Sequence, residues 1–192
     1  MVWQWQRDRG HRRRSSASGV RPTPVSDPTQ DPGPLSDPAF VAGLRPIPTG
    51  SLDGEPRPAA DIAGTSPQGS DIHLRIGQFD RPLLLAFLHT ACDGCDEFWS
   101  VFAENSAVTV PTAVAPVIVT KGAGTIAAAD VARAAGGIRQ VPVVMSDRAW
   151  TDYQVLGYPF FIVVDPVSAT VVGETVGFGW PDVLSMIRAT GT

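Results

Sequence analysis

The run Leu83-Leu84-Leu85-Ala86-Phe87-Leu88-His89 leads to Cys92-Asp93-Gly94-Cys95, and these two cysteines are the only ones in the chain. A continuous apolar run closed by turn residues reads as a strand buried on both faces. The period then changes, with Phe98 and Phe102 at the spacing of one helix face. The pattern predicts a strand over 83–89 and a helix over about 93–104 that stops near Asn105-Ser106. Both thiols therefore fall where a strand hands over to a helix. Unpaired backbone N–H groups and the helix dipole favour a thiolate there. A C-x-x-C pair in that position points to dithiol–disulfide exchange. A redox-silent pair is the competing reading.

Cysteine arithmetic removes other options. Two cysteines cannot build a disulfide framework for 192 residues. They cannot hold structural zinc alone, because such sites use four ligands, and His11, His73 and His89 show no ligand spacing. No metal and no cofactor are expected. His89 reads as a hydrogen-bonded histidine at a strand end, the alternatives being proton transfer or a metal held jointly with the thiols. Thr90 stands two residues before Cys92, not the three that a peroxidatic site requires.

Charge and proline divide the chain. Of 18 prolines, 10 precede residue 61. Residues 1–21 carry a net charge of +5 and the remainder −9, so the overall −4 hides a basic tip on an acidic body. Residues 1–60 read as a disordered arm and Pro-rich linker, because such a tract cannot bury enough apolar surface to offset its ordering entropy. Residues 61–192 read as the folded domain. Its acidity argues against nucleic acid as a partner. No signal peptide or spanning run is read in this sequence, and as it stands the expected location is the cytoplasm. Trp3 and Trp5 followed by Arg7, Arg9 and Arg12-Arg13-Arg14 nevertheless resemble the flank of a membrane helix. The expectation attached to that pattern is a start site upstream and a membrane anchor, with the domain on the cytoplasmic side.

Within the domain, Asp71–Ile76 alternates as an edge strand, Val114–Thr120 reads as a buried strand, and Val141–Met145 reads as a short strand that Pro142 starts or places on an edge. Thr125 is expected to cap an alanine-rich helix ending at Ala135, and Ser146 or Asp147 a helix through about Leu156. Phe160–Val164 and Ala169–Val176 form a hairpin, and Pro181 opens a last helix that turns Val183, Leu184 and Ile187 to the core. Trp150 and Trp180 receive no role. The order is β, β-α, β-α, β-α, β-β-α: an α/β domain with a mixed central sheet flanked by helices.

That order, with C-x-x-C after the central strand and Gly157-Tyr158-Pro159 before an apolar strand, resembles the thioredoxin fold. Tyr153-Gln154-Val155-Leu156-Gly157-Tyr158-Pro159-Phe160-Phe161-Ile162-Val163-Val164-Asp165 is similar to the TlpA/ResA branch of membrane-tethered thioredoxins. Pro82-Leu83-Leu84-Leu85-Ala86-Phe87-Leu88 is similar to accessory proteins of MauD type. The resemblance implies a thiol–disulfide oxidoreductase in which Cys92 attacks and Cys95 resolves. It implies that Pro159 is a cis-proline beside the thiols and that Tyr158 borders the substrate groove. Protein dithiols or disulfides would be the substrates and a further redox protein the partner, with the domain acting as a monomer.

The departures from that family are specific. Its commonest motif is Trp-Cys-Gly-Pro-Cys, against Ala91-Cys92-Asp93-Gly94-Cys95 here. Asp93, Asp96 and Glu97 place three carboxylates in the first turn. Carboxylates suit a helix N-terminus but repel a thiolate, so the pair is expected toward the reducing end of the redox scale. The alternative to an enzyme is a redox-silent or metal-binding thioredoxin-like interaction module.

Overall fold

The computed structural model describes residues 57–104 and 110–191. The arm through residue 56 and the expected helix stop at Asn105-Ser106 lie outside them. Among the described residues, seven strands form one sheet: β1 Ile62–Thr65, β2 Asp71–Leu74, β3 Leu83–Phe87, β4 Ala115–Thr120, β5 Val143–Met145, β6 Phe160–Asp165 and β7 Thr170–Val176. Their order across the sheet is β2-β1-β5-β4-β3-β6-β7. Strands β3, β4 and β5 run parallel, while β1, β6 and β7 pair antiparallel to their neighbours. Among the described residues, four α-helices cover the sheet: α1 Asp96–Glu104, α2 Ala128–Ala134, α3 Asp147–Asp152 and α4 Trp180–Ala189.

Strand β3 shows why the apolar run is continuous. Parallel neighbours on one side and covered faces above and below leave it no solvent side. Leu84, Ala86 and Leu88 point into one core with Phe98, Trp99 and Phe102 of α1, Val131 of α2, and Trp180, Val183 and Ile187 of α4. Leu83, Leu85 and Phe87 point into the other with Ile62, Val119, Ala149 and Trp150 of α3, and Tyr153. Leu184 is only partly buried at the edge of the first core.

Several local expectations shift. The strand expected to reach Ile76 ends at Leu74, and Ile76–Gln78 form a 3-10 turn whose first N–H donates to Asp61 Oδ1 at 2.8 Å. Strand β1 carries no strand signal, since Ala63 and Gly64 are weak strand formers. It is set by pairing: all four of its residues pair with β2, and Gly64 lies so close to β5 that a Cβ there would strike the Met145 carbonyl. Thr125 does not cap α2, which starts at Ala128 after Ala127. Its hydroxyl instead donates to Asp147 Oδ1 at 3.1 Å, and the Gly122 N–H donates to the same oxygen at 3.1 Å. Ser146 caps α3 by accepting from the Ala149 N–H at 3.1 Å, and α3 ends at Asp152. Pro142 lies just before β5, where its carbonyl accepts the Ile118 N–H at 2.9 Å.

Residues 57–60, which the sequence assigns to the linker, pack on the sheet. The Ala59 N–H donates to Ala169 O and the Val171 N–H to Arg57 O, each at 2.8 Å. Arg57 pairs with Glu174, and the Tyr153 hydroxyl donates to Ala60 O at 2.7 Å.

Candidate active site

The thiols sit at the carboxyl end of β3, as a buried strand followed at once by a helix requires. Cys92 is extended (φ −141°, ψ 110°). Asp93–Cys95 then make a 3-10 turn, closed by the Cys95 N–H donating to Cys92 O at 2.9 Å, and α1 continues from Asp96. The two cysteines are not joined by a disulfide. Cys92 is partly exposed and Cys95 is fully buried.

Burial makes the pair unequal. Loss of solvent, then a hydrogen bond to Cys92, push the Cys95 thiol from 9.0 up to about 12. The Cys92 and Asp96 charges raise it further, and a hydrogen bond from the His89 backbone N–H works in the other direction. Cys95 is therefore a protonated donor toward Cys92 at ordinary pH. Of the two sulfurs, only Cys92 is accessible to an outside reactant.

The loop before β6 closes one side. The Tyr158–Pro159 peptide bond is cis. An ideal Cβ on Gly94 would lie 3.7 Å from Pro159 Cδ and 3.9 Å from Cys92 Sγ, which sets the proline ring against the thiol turn. Both distances are ordinary contact, so glycine at 94 is not demanded by space. Pro159 is buried, and Tyr158 is 43% exposed at the rim. The Gly177 N–H donates to Pro159 O at 3.1 Å, which brings the turn after β7 to the same place. The four residues expected at the site, Cys92, Cys95, Tyr158 and Pro159, thus lie on two chain segments that meet where the carboxyl end of β3 lies beside the start of β6.

Three features of the site escape sequence reading. Glu97 is engaged: its Oε1 accepts the Trp180 N–H at 3.0 Å, so a carboxylate from α1 caps the start of α4. The His89 ring stacks on Tyr158, with centroids 4.5 Å apart and planes at 14°. An open depression lined by Thr90, Ala91, Asp130, Arg133 and Ala134 flanks the thiol loop, with Arg133 paired to Asp130 at 2.8 Å. None has a local sequence signature, because each joins residues far apart in the chain. Among the described residues, no three His, Cys, Asp or Glu side chains gather as a metal site. No helix among them is long and apolar enough to cross a membrane.

Comparison with known proteins places this architecture. The sequence matches no protein-family model and no curated protein. The fold matches solved structures. A thiol:disulfide interchange protein of the thioredoxin family from Chlorobium tepidum TLS is 20% identical with a TM-score of 0.53, over 72% of this chain and 98% of that one. The exposed lipoprotein thioredoxin Etrx1 of Streptococcus pneumoniae strain TIGR4 is 17% identical with a TM-score of 0.53, over 68% and 99%. MTB dsbF, solved in mixed oxidised and reduced forms, is 18% identical with a TM-score of 0.53, over 67% and 94%. The chain has a thioredoxin-like fold, and structural neighbours of that fold include thiol:disulfide interchange proteins.

Proposed function

We propose that the domain is a thiol–disulfide oxidoreductase acting on disulfides of protein substrates through Cys92 and Cys95. The observation that carries the proposal is the inequality of the two thiols: one reachable, the other buried, protonated and hydrogen-bonded to the first. Within the class, the segment from Tyr153 to Asp165 favours the TlpA/ResA branch.

The exchange runs in two displacements. The Cys92 thiolate attacks one sulfur of the substrate disulfide. A mixed disulfide forms, and the displaced substrate thiolate takes up a proton. Cys95 then loses its proton and attacks Cys92 Sγ, which forms the Cys92–Cys95 disulfide and releases the second substrate thiol. The substrate gains two electrons and two protons, and the protein dithiol loses them. An external dithiol of a redox partner, or dithiothreitol in the test tube, restores the reduced pair. Pro159 and Tyr158 line the approach to Cys92 and hold the substrate segment.

Insulin reduction driven by dithiothreitol tests the proposal. Cys92→Ser should lower the rate to the uncatalysed level, and Cys95→Ser should trap the mixed disulfide. A Cys92→Ser rate equal to wild type ends the proposal. The potential of the pair, titrated against glutathione, is expected toward the reducing end, well below the roughly −120 mV of a strongly oxidising pair, because Asp93 and Asp96 disfavour added negative charge at the turn. A value at the oxidising end would refute that part.

A further inference from the structure

We infer that His89 is a positioning residue for the thiol site, with two separable tasks: its imidazole Nδ1 orders the loop that delivers Cys92, and its ring face fixes Tyr158. This rests on the oxidoreductase reading only for its kinetic arm. His89 Nδ1 accepts the Ala91 N–H at 3.0 Å. That closes a side-chain-to-backbone turn two residues long over Thr90, the arrangement that Asx side chains make. It fixes the backbone immediately before Cys92, where Ala91 offers no large side chain of its own to pack. The backbone of His89 is held independently, since its N–H bonds to the Cys95 sulfur and its carbonyl accepts the Trp99 Nε1–H at 3.4 Å.

The ring does the second task. Its stack on Tyr158 is backed by Trp150, which meets Tyr158 edge-on at 6.1 Å and Phe87 at 5.4 Å. Lys121 Nζ lies 4.5 Å from the centre of the Trp150 ring. Tyr158 stands between the exposed Gly157 and the buried Pro159, and the His89 ring lies against its own ring. One side chain thereby joins the nucleophile loop to the wall of the substrate groove.

Two substitutions separate the tasks. In His89→Asn the amide oxygen replaces Nδ1 as acceptor for Ala91 and the stack is lost. In His89→Phe the stack is kept and the acceptor is lost. The rate of Cys92 alkylation by iodoacetamide should stay within about twofold of wild type in His89→Asn and change by roughly three- to tenfold in His89→Phe. The KM for a disulfide-containing peptide should rise by roughly three- to tenfold in His89→Asn, while His89→Phe keeps KM and lowers kcat. Upfield ring-current shifts of the His89 ring protons, lost in Tyr158→Leu, report the stack without turnover. Equal effects of both substitutions on the same parameter, or no effect of either, would overturn the inference. A wild-type protein inactive on disulfides would sink the oxidoreductase reading, and alkylation and ring-current shifts would still decide the role of His89.

Discussion

The two faces of the sheet are built by different means. The face under α1, α2 and α4 is closed by apolar contact. Phe98 meets Phe161 at 4.7 Å and Trp180 at 6.4 Å, and Phe102 meets Trp180 at 5.8 Å. The face under α3 is equally dry in its centre, but polar ties hold its margin: Tyr153 to Ala60, Ser146 to Ala63, Arg57 to Glu174, and Asp147 to Gly122 and Thr125. The first face carries the helix that follows the thiols. The second fastens the segment by which the described domain begins. Close packing gives the thiol helix one position, because aromatic side chains at contact distance leave little freedom to shift. Hydrogen bonds to a strap need only direct it.

Truncation of the aromatic cluster is the strongest challenge to this contrast. Phe98→Ala should cost about 3–5 kcal/mol by urea unfolding, since the side chain is fully buried among rings that cannot collapse into the gap. A loss below about 1 kcal/mol would remove the distinction between the faces. Tyr153→Phe should cost about 1 kcal/mol near neutrality, through the bond to Ala60. Its larger signature lies at high pH. Burial raises the Tyr153 phenol from 10.0 to about 12, so the folded state keeps a proton that the unfolded chain loses. Stability therefore falls as pH rises from 10 toward 12, by on the order of 2 kcal/mol, and Tyr153→Phe should flatten that part of the decline. An unchanged alkaline limb would contradict the assignment. Smallest is Arg57→Ala, expected to cost less than about 1 kcal/mol because the pair with Glu174 is partly exposed. A cost as large as that of Phe98→Ala would make the strap a core element.

Much of this was legible in the residues. The unbroken run from Leu83 to Leu88 encodes burial on both faces, and the change of period at Phe98 locates α1. Pro159 before β6 and the hairpin after it complete a recognisable order. What could not be read are relations between distant segments. Strand β1 is defined by its pairing with β2 and by the close approach of Gly64 to Met145, not by its own propensity. The Thr125 hydroxyl finds a better partner in Asp147 than a helix end of its own. Glu97 looks like one of three acids crowding a thiolate until Trp180 is placed beside it. His89 and Tyr158 are separated by about half of the domain's sequence, and only the fold stacks them.

The elevation of Cys95 has a consequence in time. Two of its causes, the hydrogen bond and the charge of Cys92, exist only while Cys92 is a free sulfur. Once Cys92 is tied into a mixed disulfide, both disappear, while burial and Asp96 remain. Capture of a substrate thus removes part of what keeps the second thiol silent. In the exchange we propose, capture therefore lightens the hold on the second thiol without removing its largest cause, and Cys95 is still a buried group when its turn to react comes.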